Sequence, residues 1–225
     1  MEEKITQTVE DYLKVIYEIT TTEQRASTNQ IAEILGITPA SVTGMIKKLA
    51  ETEPPLVDYQ RHHGVTLTEK GVDKALEVIR HHRLLEMFLH QILGYDWDEV
   101  HTEADRLEHF ISEELEERIS QVLGNPMYDA HGHPIPTRDL KLPESKSQQL
   151  SFLRPGQKAM ISKVNDSNSD LLRYLSNLGL IPKANIVILD YSPFDKNIQL
   201  QVVDGERKPV VLGPDITRQI FVEIL

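Results

Sequence analysis

Residues 7–19 set apolar Val9, Leu13, Ile16 and Tyr17 at helical spacing, with Asp11 and Lys14 beside that stripe. A polar loop over 20–26 follows. Ser27 then stands where its hydroxyl can cap a short helix that Gly36 can end in the left-handed conformation. Thr38 and Pro39 restart a helix, as cap and first residue, that runs to about Glu51. Two short helices joined by a glycine-containing turn predict a helix-turn-helix. Beyond Pro54 and Pro55, residues 56–59 and 65–68 alternate apolar and polar side chains around Gln60, Arg61, His62, His63 and Gly64. That pattern predicts a hairpin, and a helix-turn-helix followed at once by a hairpin is the order of a winged helix, with Gln60, Arg61, His62 and His63 at the wing tip.

Helical periodicity resumes over 69–93, breaks over 94–98 and continues from about 100 to 123. Leu84, Leu85, Phe88 and Leu89 stripe one helix, and Leu107, Phe110, Ile111 and Leu115 the other. Such stripes suit an intramolecular core or a dimer seam, and the symmetry of most DNA regulators favours the seam. Gly, Pro and His over 124–136, and the polar run 140–151, read as linker. Strand patterns at 156–164, 185–191, 198–203, 208–212 and 219–225, interrupted by a helix at 169–178, predict a small β-barrel. The expected fold is mainly α with a β domain, divided into 1–72, 73–142 and 152–225.

Composition narrows the chemistry. The chain has 225 residues, 40% of them hydrophobic, and lacks cysteine, so a metal here must be held by nitrogen and oxygen. That donor set favours harder cations. No apolar run approaches a bilayer span and the first residues lack a signal-peptide core, so the expectation is a cytoplasmic protein without a membrane partner. The net charge of −11 divides as −4 over 1–72, −8 over 73–142 and +1 over 143–225. The acidity therefore concentrates in the segment richest in candidate metal ligands.

Those ligands are His101, Asp105, Glu108 and His109, at relative positions 0, 4, 7 and 8, where one continuous helix would bring them to a single face. Two imidazoles and two carboxylates on one stripe need a cation or water in front of them. His82 and Glu86 form a second i, i+4 pair upstream. The rival reading of both is a polar helix face in solvent.

Residues 8–17 (TVEDYLKVIY), 39–49 (PASVTGMIKKL), 82–86 (HRLLE) and the 101–109 block together resemble, in order, the diphtheria-toxin-repressor family of metal-dependent transcriptional regulators, over essentially the whole chain. The resemblance implies a winged helix-turn-helix, a helical dimerisation domain and a C-terminal SH3-like domain of the kind also found in ferrous-iron transport accessory proteins. It implies a primary metal site at Asp11, Asp105, Glu108 and His109 and an ancillary site at His82, Glu86 and His101, two per subunit. Iron-responsive members resemble Met and Cys at the positions of Asp11 and Asp105, whereas manganese-responsive members carry carboxylates. An all-oxygen and imidazole set lets Mn²⁺ compete, so Mn²⁺ is expected, with Fe²⁺ as the alternative.

Two departures qualify this transfer. Short manganese regulators have Glu where Lys14 stands, so their coupled binuclear arrangement is not expected; Lys14 resembles a salt-bridge partner or phosphate contact instead. Iron-responsive members donate Glu and Gln from the third domain, where this chain has Asn168 and Leu171, and Leu171 cannot ligate. Some three-domain manganese members take ligands at positions resembling Asp129, His131 and Asp166; His133 and His81 are further alternatives.

The expected function is a metal-dependent repressor that binds a palindromic double-stranded operator as a homodimer and controls metal-uptake genes, with no small-molecule substrate. Thr38, Pro39, Ala40, Ser41, Thr43 and Gly44 would face the groove, Lys47 and Lys48 the backbone. Few of these are long hydrogen-bonding side chains, which favours methyl contacts and DNA shape over bidentate base reading. Against it stand a metallohydrolase using His101, Asp105 and His109 with Glu108 as base, and a metal chaperone docking through the β domain. The spacing does not match His-Glu-x-x-His, and the protein is not expected to be an enzyme.

Overall fold

The computed structural model describes residues 5–144, 146–203 and 208–225. These form two compact units, considered separately below. The first runs to His81 and includes 108–111 and 136–141; the second comprises 82–107, 112–135 and 142–225.

In the first unit, α1 (Gln7–Thr20), α2 (Thr28–Leu35) and α3 (Pro39–Ala50) precede the antiparallel hairpin β1 (Val57–Gln60) and β2 (Gly64–Leu67). Ser27 accepts from the Gln30 amide while the Gln30 side chain takes the Ser27 amide, a reciprocal cap that fixes the start of α2. Gly36 ends it at φ 66°, a conformation that disfavours any residue with a Cβ. Thr38 then caps α3 with Pro39 in the first turn. Leu13, Ile16, Ile31, Val42, Ile46 and Val65 close a common core, each such buried aliphatic contributing roughly 1.5–3 kcal/mol. A bridge between Ala26 and Val65 ties the entry of α2 to the hairpin. The expected helix-turn-helix and wing are therefore present.

The second unit begins within α4 (Glu69–Gln91) and contains α5 (Val100–Leu107), α6 (Glu113–Val122) and a six-stranded antiparallel sheet. Its strands are β3 (Gln148–Gln149), β4 (Lys158–Val164), β5 (Asn185–Tyr191), β6 (Ile198–Val202), β7 (Val210–Leu212) and β8 (Ile220–Ile224), in the order β3-β8-β4-β5-β6-β7. Helix α7 (Ser169–Leu178), capped by Asn168, packs Leu172 and Leu175 into the sheet's core beside Ile161, Ile186, Leu200 and Val222. Trp97, from the α4–α5 connection, joins the same cluster.

Two expectations need correction. The helix expected over 100–123 is two helices, because residues 108–110 turn and Ser112 caps α6 by accepting from the Leu115 amide at 3.2 Å. Glu113, Glu114 and Glu116 in the first turn of α6 favour a new helix N-terminus there. His101, Asp105, Glu108 and His109 accordingly do not share one helical stripe. The supposed linker over 124–136 is a packed loop: His131 and Ile135 are buried, and the Ile135 amide donates to Met127 at 2.8 Å. Gly132, at φ 86°, lies so close to β4 that a Cβ would overlap the main-chain oxygen of Ser162. Pro and Gly here mark a tight seat rather than freedom.

Candidate metal centres

The break after α5 places Glu108 and His109 in the first unit, against α1. The His109 side chain is 3% exposed, with Nε2 2.9 Å from Asp11 Oδ1 and 3.4 Å from Glu108 Oε1. Its other nitrogen, Nδ1, lies 2.6 Å from Glu10 Oε2. With Nδ1–H donated to Glu10, Nε2 is the nitrogen that presents a lone pair beside two carboxylates, the tautomer a metal ligand requires. Asp11, Glu108 and His109 each bring one donor atom within 4.8 Å of the others. Lys14 donates to both oxygens of Glu108, at 2.9 and 3.1 Å, so the salt-bridge reading of this residue is the one realised. Burial pushes the Asp11 carboxyl up and Glu108 adds to it, against the opposing pull of His109 and Lys14. Glu10 carries no ligand-spacing signal of its own. Only the fold reveals its contact with a residue 99 positions away.

The second unit gathers a larger cluster. From α4, His82 Nε2 lies 2.9 Å from Glu86 Oε1; from α5, His101 Nδ1 lies 3.1 Å from the same oxygen. The 129–133 loop adds His131, whose Nδ1 is 3.5 Å from Glu86 Oε2 and 3.9 Å from Asp166 Oδ2. Asp166 Oδ2 is also 3.3 Å from His133 Nδ1, which lies 3.5 Å from Asp129 Oδ2. His131 Nε2 meets the Trp97 carbonyl at 2.7 Å, leaving Nδ1 to face the carboxylates.

Electrostatics and hydrogen bonding both point to a positive charge at this position. Burial opposes an imidazolium at His131, yet Glu86, Asp129 and Asp166 outweigh it and push the group up to about 9. Burial likewise opposes the Glu86 carboxylate, but His82, His101 and His131 hold it well below the usual range. Among the described residues, Glu86 Oε2, Asp129 Oδ2, His131 Nδ1 and His133 Nδ1 are buried without a hydrogen-bond partner. Asp129 Oδ2 faces Arg83 Nε at 3.7 Å, which leaves Glu86 Oε2, His131 Nδ1 and His133 Nδ1 as the buried atoms that a cation would satisfy. Their nitrogen and oxygen chemistry fits a first-row divalent ion.

Within the second unit the Asp105 carboxylate faces His82 Nδ1 at 3.2 Å and His101 Nε2 at 3.6 Å. Asn168 spends its side chain capping α7, and Leu171 is partly buried against the sheet core. His81 pairs with the main-chain oxygen of Glu108 through Nδ1.

In the helix-turn-helix, Thr38, Pro39, Ala40, Ser41, Gly44, Lys47 and Lys48 are exposed along α3, opposite its buried Val42, Ile46 and Leu49. Thr38 is engaged as cap, and the Thr43 hydroxyl donates to the Pro39 carbonyl at 2.9 Å, which leaves methyl groups as their outward chemistry. Arg61 and His62 are exposed at the hairpin tip.

Three family models match the chain: an iron-dependent repressor N-terminal DNA-binding domain over 4–65, an iron-dependent repressor metal-binding and dimerisation domain over 68–137, and a FeoA domain over 148–224. The iron-dependent repressor IdeR of Mycobacterium leprae is 31% identical over 194 residues, covering 80% of this chain and 83% of that protein. The chain belongs to the iron-dependent repressor family. This repressor also shares 33% identity over 146 residues with the MntR regulator of Listeria welshimeri, covering 65% of this chain and 98% of that one. Among solved structures, a manganese-dependent transcriptional repressor in complex with manganese superposes with a TM-score of 0.90 at 37% identity, spanning 96% of this chain and 100% of the other. ScaR with bound Zn²⁺ gives 0.81 at 35%, over 96% and 99%. The protein is thus a metal-dependent, DNA-binding transcriptional repressor, helical through its N-terminal and dimerisation regions and ending in an SH3-like antiparallel sheet. No helix among its described residues is long and apolar enough to cross a membrane.

Proposed function

We propose that this repressor senses Mn²⁺ through two metal centres per chain and, as a cytoplasmic homodimer, holds a palindromic operator controlling metal-uptake genes. The carrying observation is the ligand chemistry: carboxylates and imidazoles, without a sulfur donor, at both centres. The relatives named for manganese regulation support the same metal, and those named for iron keep Fe²⁺ as the alternative.

Asp11 belongs to the stretch matched by the DNA-binding model, while Glu108 and His109 belong to the stretch matched by the metal-binding and dimerisation model. A divalent cation held by these three supplies positive charge between groups that otherwise repel. Asp11 and Glu108 then draw α1 toward the 108–111 segment, and Glu10 keeps His109 turned to present Nε2. His82, Glu86, His101, His131 and Asp166, with Asp105 and Asp129 at the edge, form the second centre. Fixing α1 sets how α3 is presented, so that Ala40, Ser41, Thr43 and Gly44 meet base edges and methyls in the major groove. Lys47, Lys48, Arg61 and His62 meet phosphates. The division into 1–72, 73–142 and 152–225 assigns DNA reading, dimerisation with metal binding, and the SH3-like module to successive segments.

The test is selection of promoter-region DNA at fixed salt with no metal, Mn²⁺, Fe²⁺ or Zn²⁺. Enrichment of a palindromic site with Mn²⁺ supports the reading; absence of sequence-selective binding with every metal refutes it. Asp11→Met tests the metal assignment: a sulfur donor in place of oxygen should broaden the response toward Fe²⁺ and Co²⁺.

A further inference from the structure

A cleft of about 290 Å³ opens in the β domain, and none of its lining residues is a candidate metal ligand. Local structure builds its walls. A single 3-10 turn (Leu150–Phe152) is anchored by Leu150 and Leu153, both fully buried, which leaves Phe152 65% exposed at the cleft. Helix α8 (Pro214–Thr217) packs against that turn, is held by buried Thr217, and brings Arg218, the residue that follows it, into the lining. Between β5 and β6 the Ser192 amide donates to the Asn197 carbonyl at 2.9 Å, closing a turn that presents Lys196 at φ 60°.

The charge of this cleft runs against that of the chain. Although the protein carries −11 overall, Arg154, Lys196 and Arg218 all line the cleft, and no described residue lining it is acidic. Asp195, the carboxylate next to Lys196, is spent on its own turn, where it accepts from the Asn197 amide at 3.3 Å and side chain at 2.7 Å. Among the described residues, Lys196 and Arg218 have no ion-pair partner. Arg154 is held in place: Nη1 donates to the carbonyls of Leu153 at 2.7 Å and Ser151 at 3.1 Å, and its guanidinium lies 3.9 Å from the centre of the Tyr191 ring. Its other nitrogens remain as donors. Three cations around one concavity repel one another, and an anion seated among them removes that cost.

We propose that this cleft binds a phosphate ester bearing a flat ring, of mononucleotide size, with the phosphate on Arg154, Lys196 and Arg218 and the ring against Phe152. A guanidinium matches phosphate oxygens with paired N–H donors, which favours phosphate as the anion. Phe152 offers an exposed aromatic face on which a base can stack, whatever its identity. On the same wall the Ser151 hydroxyl donates to Gln149 Oε1 at 3.3 Å, which leaves the Gln149 NH₂ as a further donor. The cleft lies at the small end for ligand pockets, which suits one nucleotide and not a longer strand. This proposal stands independently of the metal-sensing reading.

The experiment is isothermal titration calorimetry on full-length protein stripped of metal by a chelator and desalted, so that no cation carries the phosphate. Adenosine 5′-monophosphate, inorganic phosphate and adenosine are titrated separately at fixed salt. The monophosphate should bind once per chain with a dissociation constant below about 1 mM, and phosphate and adenosine each about tenfold or more weaker. Lys196→Glu with Arg218→Glu should weaken the monophosphate about 100-fold with an unchanged melting temperature; the milder Lys196→Gln with Arg218→Gln should weaken it less and guards against a folding defect. Phe152→Ser should cost about tenfold for the monophosphate and nothing for phosphate. Equal affinity for phosphate and the monophosphate overturns the ring assignment, and equal affinity for adenosine overturns the role of the cations. Binding that is absent, or unchanged in the folded charge variants, overturns the site. Short duplex DNA that binds the wild-type protein more tightly than the monophosphate and loses affinity in the same variants assigns these cations to DNA and overturns the proposal.

Discussion

His131 Nε2 meets the main-chain oxygen of Trp97 at 2.7 Å, so the other nitrogen of the ring is committed to the carboxylates of Glu86 and Asp166. Trp97 belongs to the core of the β domain. The orientation of a candidate ligand is therefore set by hydrophobic packing of a neighbouring residue rather than by the ligand loop alone.

This arrangement predicts a pH dependence. His131 rises from 6.5 to about 9 in the metal-free protein, so its contribution to stability is complete below about 6.5 and is lost as pH climbs through 9. Metal-free protein should melt at least a few degrees lower at pH 9.5 than at pH 6.5, and His131→Gln should flatten that difference. Cation uptake must displace the same proton, so affinity at this centre should strengthen over the interval in which metal-free stability falls. Calorimetry across pH checks both, and proton release absent at pH 7 contradicts the assignment.

Glu10→Gln probes the orientation of His109. The amide retains the volume but can turn its NH₂ toward Nδ1, which favours the wrong tautomer. Mn²⁺ affinity of the first centre should drop about 10–100-fold with the melting temperature of the metal-free protein nearly unchanged. Equal loss of stability and affinity would mean that Glu10 holds the fold and not the imidazole.

Lys14→Met removes the cation that faces Glu108 in the metal-free protein. Breaking a buried ion pair by deleting one partner costs about 3–5 kcal/mol, and Glu108 is 2% exposed, so the metal-free melt should shift markedly downward. Saturating Mn²⁺ should recover much of that loss, because a cation at Asp11, Glu108 and His109 compensates the same carboxylate. Thermal melts with and without metal decide the point.

Gly132→Ala should unseat the 129–133 loop. The position has φ 86° and a Cβ there overlaps the backbone of Ser162. Strain of about 1–3 kcal/mol is expected, together with at least a tenfold loss of affinity at the second centre and none at the first. Dialysis in the Asp11→Ala background separates the two.

Local chemistry was legible in the sequence. Ser27, Gly36, Thr38 and Pro39 determined where the helix-turn-helix begins and turns, because caps and left-handed glycines act within a few residues. Alternation determined the hairpin and most strands of the sheet, and helical spacing the core positions Leu13 and Ile16. Ligand types were equally plain, since an uncharged or thiol alternative is absent at the histidines and carboxylates named. What the tertiary structure alone decided is which groups those ligands face. Periodicity assigned His101, Asp105, Glu108 and His109 to one stripe, but the helix ends at Leu107, so Glu108 and His109 meet each other and Asp11 from a turn. Glu10 opposite His109 and Trp97 behind His131 are contacts across long stretches of chain. Periodicity reports only which residues of a continuous element share a face; a break in that element, and what packs against each side of it, depends on the competing caps and cores of the whole fold.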